Sequence, residues 1–368
     1  MVYLDNAATT YKKPDTVLRA VKGAIKKYSA NPGRSGHRLS IRATELVYSA
    51  RESISRHLNY SFPDRIVFTL NATYALNMAI KTLIPDNSHV IISDLEHNSV
   101  YRPICSLAQA RGVSYSVYKS SADNIFKEIE GHIRDNTSAI VTTLKSNVTG
   151  ECIPIFALSE LKKKYGIRLI LDASQAAGLT NFSLDDVAFD AFCAPAHKGL
   201  YGIMGLGFAV FAASPDNTLL EGGSGNESRN KAMPKELPER MEAGTLPLPA
   251  IAGLKAGVEY IDSIGIDTVI SIVDYLTEEA LSRLREIKNI RIYGAHGGVI
   301  CFNIGQVPSE KCARKLSDVG ICTRAGLHCA PLAHEKIGTL KSGCVRISLS
   351  YFNTERELDK LYRALRKI

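Results

Sequence analysis

The chain has 368 residues, 45% hydrophobic and 22% charged, enough for one large domain and a smaller one that each bury a core. No apolar run approaches the roughly 18 residues of a membrane span, and the opening "MVYLDNAATTYKKP" lacks the pattern of a secretory leader; eight scattered cysteines with no CxxC pair argue against a disulfide framework or a zinc site. The expectation is a soluble, cytoplasmic enzyme without a metal, and the dispersed Lys and Arg behind the net charge of +8, with 7% aromatic content, give no nucleic-acid signature.

In chain order, strand-like runs stand at "RIVFT" (65–69), "HVIIS" (89–93), "YSVY" (115–118), "AIVTTL" (139–144) and "RLILD" (168–172), followed by "AFDAFCA" and "GFAVFA". Helical patterns such as "ATYALNMAIKTLI" and "IFALSELKKKYG" separate them, the latter stopped by Gly166. Continuous apolar strands alternating with helices predict a mostly parallel sheet covered on both faces. From Glu221 to Glu242 the chain is polar, Gly-rich and interrupted by proline, which predicts a long functional loop. Helical patterns at about 249–288, strands "GVICFNI" and "CVRISLS", and a terminal helix from Glu355 then form a smaller α+β unit. The expected division is 15–248 for the large domain, and 1–14 with 249–368 for the small one.

Polar residues at the strand ends carry the chemistry, because ligands of α/β folds sit outside the carboxyl ends of strands. In "FTLNATYALN", the amides near Ala72 and the Thr73 hydroxyl suit a phosphate at a helix N-terminus, although Asn71 serves equally as a plain N-cap. His97 in "DLEHNSV" offers a ring for stacking on a planar cofactor, or is structural. Asn147 in "LKSNVTGE" reads as a ligand group or as an ordinary turn. Asp172 closes an apolar strand, where a carboxylate calls for a cation or else starts a helix. His197 and Lys198 follow another strand in a glycine-rich turn, and a lysine there can form a Schiff base. Arg346 inside "GCVRISLS" requires an anion, either a ligand carboxylate or a structural partner. Cys329 in "TRAGLHCAP" lies in a loop rather than in an apolar strand, unlike Cys193, Cys301 and Cys344, and His328 or Arg324 offers it a cation. Cys322 is the less favoured second thiol. No GxGxxG opens the first βα unit, which disfavours a nicotinamide enzyme.

Taken in order, "YLDNAATT", "FTLNATYALN", "EHNS", "SNVTG", "DASQ", "HKG", "EAGT", "TRAGLHCAP" and "VRISLSYFNT" resemble the class V aminotransferases of the type I pyridoxal-phosphate fold, and within them the cysteine desulfurases and selenocysteine lyases of the SufS-like group. The resemblance implies a seven-stranded α/β/α sandwich plus the small domain, with pyridoxal 5'-phosphate as cofactor. It implies that Lys198 bonds the cofactor covalently, Asp172 pairs with the pyridine nitrogen, Gln175 meets the phenolic oxygen and His97 stacks on the ring. Ala72, Thr73 and His197 form the phosphate cradle, completed by Thr245 from the other subunit of a homodimer, while Asn147 and Arg346 face the substrate.

Cys329 is then the nucleophile, with His328 beside it, that takes sulfur from L-cysteine, leaving L-alanine and an enzyme persulfide for a protein acceptor, as iron–sulfur cluster assembly requires. L-selenocysteine as substrate, a transamination, and a catalytically silent binding protein of the same fold are the alternatives. Three departures stand out: Pro195 where many relatives carry Ser or Thr, Leu327 where a second histidine is common, and no proline after the second glycine of "HKGLYGIMGLGF".

Overall fold

The computed structural model describes residues 1–33 and 35–368. Seven strands form its main sheet in the spatial order Ile66–Thr69, Gly207–Phe211, Ala191–Pro195, Arg168–Asp172, Thr137–Thr143, His89–Ser93 and Ser114–Tyr118. All run parallel except Gly207–Phe211, which is antiparallel to both neighbours. The expected strands are therefore present, most within one or two residues; the run "AFDAFCA" begins three residues before its strand, Ala191–Pro195. The mostly parallel character follows from their apolar composition.

Because side chains alternate across a strand, each strand feeds two cores. Val67, Val90, Ile92, Val141 and Ile170 face one side, where they pack on helices Ala72–Leu83 and Asn98–Arg111. Ile66, Phe68, Ile91, Ile140, Leu169 and Leu171 face the other, against helices Arg38–His57, Ile155–Tyr165 and Leu248–Ile264. Each such side chain taken from water contributes about 1.5–3 kcal/mol. Gly166 caps the Ile155–Tyr165 helix with φ of 64°, as its position predicts.

The helical pattern at 249–288 resolves into two helices, Leu248–Ile264 and Ile266–Arg285, joined at Gly265. The first buries Ile251, Leu254 and Val258 in the large-sheet core. The second packs with the four-stranded antiparallel sheet, ordered Arg324–Gly326, Cys344–Ser348, Val299–Ile304, Ile290–His296. The N-terminal Val2–Tyr3 strand pairs with Ile321–Cys322 in a separate two-stranded sheet, and Val2 and Leu4 join the core of the four-stranded one. Between Phe211 and Leu248 no described residue is in a helix or strand, in keeping with the expected loop. Its far end is pinned where Glu242 meets the buried Arg51 at 2.6 Å and accepts a hydrogen bond from the Phe68 amide.

Candidate active site

Five parallel strands end on the same side of the sheet, and the turn after each delivers polar groups to one cavity. It is lined by Ala72 and Thr73 after Ile66–Thr69, His97 and Ser99 after His89–Ser93, Lys145 and Asn147 after Thr137–Thr143, Asp172 at the end of Arg168–Asp172 with Gln175 just past it, and His197 and Lys198 after Ala191–Pro195. The convergence is a consequence of parallel topology: residues up to 126 positions apart meet because every strand stops at the same edge. Two close backbone approaches demand glycine. A Cβ on Gly199 would lie 2.3 Å from the Ala177 carbonyl oxygen, and one on Gly207 would lie 2.5 Å from the Asn71 carbonyl carbon.

Lys198 stands in this cavity with its pKa lowered to about 8. Burial is the main cause, opposed by Asp172 and reinforced by the positive charges of Arg346 and Arg324. Asp172 is buried, and its Oδ1 accepts a hydrogen bond from the Ser174 amide at 2.9 Å. No helix starts there; the residues that follow form turns. Gln175 is held by a bond from its Nε2 to the Ala7 carbonyl at 2.8 Å.

His97 satisfies both of its sequence readings. It caps the Asn98–Arg111 helix, its Nδ1 accepting from the Ser99 amide at 3.0 Å, and its ring lines the cavity. Burial lowers its pKa to about 4, so the imidazole is neutral at physiological pH. Asn71 likewise caps the Ala72–Leu83 helix by accepting from the Tyr74 amide, which leaves the Ala72 and Thr73 end facing the cavity. Thr73 Oγ1 lies 2.7 Å from Ser99 Oγ. His197 is pushed to about 4 by burial and by Lys198 and Lys13, and its Nδ1 is buried without a partner.

These groups fit pyridoxal phosphate. The unpaired His197 Nδ1, the helix N-terminus and the hydroxyls of Thr73 and Ser99 suit a phosphate. The amine of Lys198 suits an aldehyde, and the Asp172 carboxylate a protonated ring nitrogen. Pro195 contributes no hydroxyl, but Ser99 and Ser174 line the cavity and supply two.

The cysteine loop lies beside this wall. Cys329 is exposed and Arg324 Nη2 approaches its Sγ at 3.5 Å. His328 and Cys329 both adopt left-handed backbone, with φ of 50° and 59°, a conformation that costs about 1–3 kcal/mol per residue. Two hydrogen bonds hold it: Asn147 Nδ2 donates to the His328 carbonyl at 2.8 Å and the Asn98 amide to the Cys329 carbonyl at 2.7 Å.

The His328 imidazole does not supply the cation expected of it. Its ring turns inward, 3.1 Å from His334, and its donor atoms lie within 4.8 Å of the buried Cys301 and Cys344 thiols. Burial, with Arg346 nearby, drives its pKa to about 2, so it is neutral. Arg324 is the positive group at the thiol. Cys193 and Cys301 are buried and pushed well above the usual thiol range by that burial, as befits packing residues.

Thr245 is exposed and outside the cavity lining. Arg346 is fully buried and pairs with Asp5 at 2.6 Å, so the structural-partner reading holds at one edge of its guanidinium. Ser99, Lys145 and Ser174 are cavity residues that the sequence reading did not single out. Each lies within six residues of a strand end, and that position is the signal that marks them.

Comparison with known proteins decides the family. The family described as aminotransferase class V matches residues 2–361. The chain belongs to the class V aminotransferases. It is similar to a probable cysteine desulfurase of Methanothermobacter thermautotrophicus, 31% identical over all of this chain and 94% of that protein. A cysteine desulfurase of Pectobacterium carotovorum is 29% identical, over all of this chain and 93% of its own. Among solved structures, the apo cysteine desulfurase of Thermococcus onnurineus superimposes with a TM-score of 0.90 at 26% identity, covering 100% of this chain and 94% of that one. The fold expected of the family, α/β with a mostly parallel seven-stranded sheet, is the fold observed.

Proposed function

We propose that this class V aminotransferase is a pyridoxal-phosphate-dependent cysteine desulfurase, which converts L-cysteine to L-alanine and takes the sulfur onto Cys329. The observation that carries the reading is an exposed thiol next to a guanidinium, on a loop bonded to the wall of a cavity that holds Lys198, Asp172 and His97. The names of the relatives support it.

When bound, the cofactor supplies an electron sink for the substrate Cα. Asp172 would pair with its ring nitrogen, His97 would lie against its ring, and Ala72, Thr73 and His197 would hold its phosphate. The Lys198 amine, with a pKa of about 8, has a substantial neutral fraction near pH 7–8 and moves the Cα proton as a general base. Asn147 and Arg346 orient the amino acid, Arg346 through its carboxylate. The Cys329 sulfur, with the Arg324 guanidinium 3.5 Å away, attacks the substrate sulfur; an S–S bond forms, the C–S bond breaks with its electron pair kept on carbon, and the three-carbon fragment, protonated there, leaves as alanine. A homodimer, in which Thr245 of each chain reaches the other's phosphate site, and a protein that accepts the sulfur complete the proposal.

The test is product analysis with the holoenzyme and L-cysteine, L-selenocysteine and amino/oxo acid pairs. The expected outcome is alanine and reducible sulfide from L-cysteine, with none from a Cys329→Ala variant that retains its cofactor absorbance. Undiminished sulfide from that variant would remove Cys329 from the reaction. Exchange between amino and oxo acids without sulfide would make the protein an aminotransferase.

A further inference from the structure

The opening motif "YLDNAATT" has no role in the reaction just described, yet it touches three residues of the cavity lining, Gln175, His197 and Lys198, and also Arg346. The Ala7 carbonyl accepts from Gln175, the Thr10 side chain bonds the carbonyls of His197 and Lys198, and the Asp5 carboxylate pairs with Arg346. Asp5 is itself fixed. Its backbone bridges to Ser348, two residues beyond Arg346, and its carbonyl accepts from the amides of Ala8 and Thr9.

Arg346 is gripped at two of its three nitrogens. Nη2 donates to Asp5 Oδ1 at 2.6 Å and Nη1 to the Asn147 carbonyl at 2.9 Å, while Nε is buried with no acceptor. A buried donor without a partner is costly, and a purely structural ion pair gives no reason to keep one. Two anchors on the η nitrogens stop the guanidinium from rotating about its axis and leave the Nε edge unsatisfied. That edge has the side-on geometry in which arginine grips a carboxylate, through Nε and the second hydrogen of Nη2.

We infer that Asp5 is the positioning residue for Arg346, holding the guanidinium so that its Nε edge receives the carboxylate of the amino-acid substrate. The inference rests on the proposed function for its ligand and adds to it a residue 341 positions away in sequence. Asp5 touches neither substrate nor cofactor. The opposite role, an internal anion that occupies the place of the substrate carboxylate, makes a prediction of opposite sign.

The experiment uses holoenzyme carrying Asp5→Ala or Asp5→Asn, with binding read from the change in cofactor absorbance as L-alanine is titrated in. Ethylamine, an amine without a carboxylate, is the control. Asp5→Ala raises the Kd for L-alanine about tenfold or more, the factor that one charge-assisted hydrogen bond is worth. Asp5→Asn, which keeps an acceptor oxygen, raises it less, and the affinity for ethylamine stays within about twofold. With L-cysteine the effect sits in KM more than in kcat.

An unchanged or lower Kd for L-alanine overturns the inference, as does an equal loss for L-alanine and ethylamine, which marks a general structural role. If Asp5→Ala does not fold, Asp5→Asn carries the test. Arg346→Lys separates the two levels. If that variant leaves L-alanine binding intact, the carboxylate site itself is wrong; if it weakens binding while both Asp5 variants do not, only the role of Asp5 fails.

Discussion

The Lys198 amine is held at about 8 because burial and two guanidinium groups outweigh the attraction of Asp172. Capture of pyridoxal phosphate by the apo-protein needs the neutral amine, whose fraction below its pKa rises about tenfold per pH unit. The rate of cofactor capture, followed by absorbance, therefore climbs with pH and levels off near 8. A rate still climbing steeply toward 10 would mean an ordinary lysine. Lys198→Ala should release the cofactor on dialysis; retention with unchanged absorbance would assign the linkage to another lysine.

At Cys329, Arg324→Gln removes the guanidinium whose Nη2 lies 3.5 Å from the sulfur. A cation there attracts an anionic reagent over a neutral one, so the ratio of alkylation by iodoacetate to alkylation by iodoacetamide should fall about three- to tenfold. An unaltered ratio would mean that the guanidinium does not sit beside the thiol. At this scale the residues local in sequence were readable, because a strand end marks its own polar neighbour. The partner of Arg346 was not, since nothing near either residue signals a contact between Asp5 and the far end of the chain.

At the scale of elements, the site depends on strands that stop in register and on turns that approach closely. Gly207 is the clearest case. It begins the antiparallel strand of the main sheet, pairs with both Thr69 and Pro195, and lies against the turn that starts the Ala72–Leu83 helix. Gly207→Ala would drive a methyl into the Asn71 and Ala72 backbone. Overpacking of this kind costs about 1–3 kcal/mol, and here it displaces the amides proposed to hold phosphate. The expected outcome is a lower Tm together with weaker cofactor binding by titration. Normal cofactor affinity in a destabilised variant would separate this helix end from the phosphate.

The large-sheet strands were legible because continuous apolar runs bounded by turns have few other solutions. Among the helices not marked in the sequence are Asp15–Lys27 and Arg38–His57, whose polar faces obscure the stripe that packs on Leu248–Ile264. His97 shows why one residue defied a single reading. A histidine that accepts at Nδ1 caps a helix and, by the same bond, fixes its ring for stacking.

For the molecule as a whole, three buried histidines outside the cavity lining set an acid limit. Burial lowers His89 and His334 to about 4 and His328 to about 2, against roughly 6.5 when unfolded. Between these values the unfolded chain binds protons that the native chain refuses, so stability falls as pH drops below about 6.5. Each independent site costs up to about 1.4 kcal/mol per pH unit; His328 and His334 touch and share part of this cost. The apo-protein Tm should decline from pH 6.5 toward 4, and a flat Tm across that window would show these rings protonated in the fold.

The turns that carry Asn71 and Lys198 also expose Leu70 and Met204, apolar surface suited to a partner subunit. Sedimentation should give twice the chain mass, and a monomer that retains full activity would remove Thr245 from the phosphate site.

Sulfur transfer to Cys329 is the central claim, and mass spectrometry of the holoenzyme after a brief incubation with L-cysteine addresses it directly. One added sulfur atom should appear on the peptide that contains Cys329, removable by dithiothreitol and formed with an equal amount of alanine in the first turnover. Alanine released in that turnover with Cys329 unmodified, or the added sulfur on Cys322 instead, would contradict it.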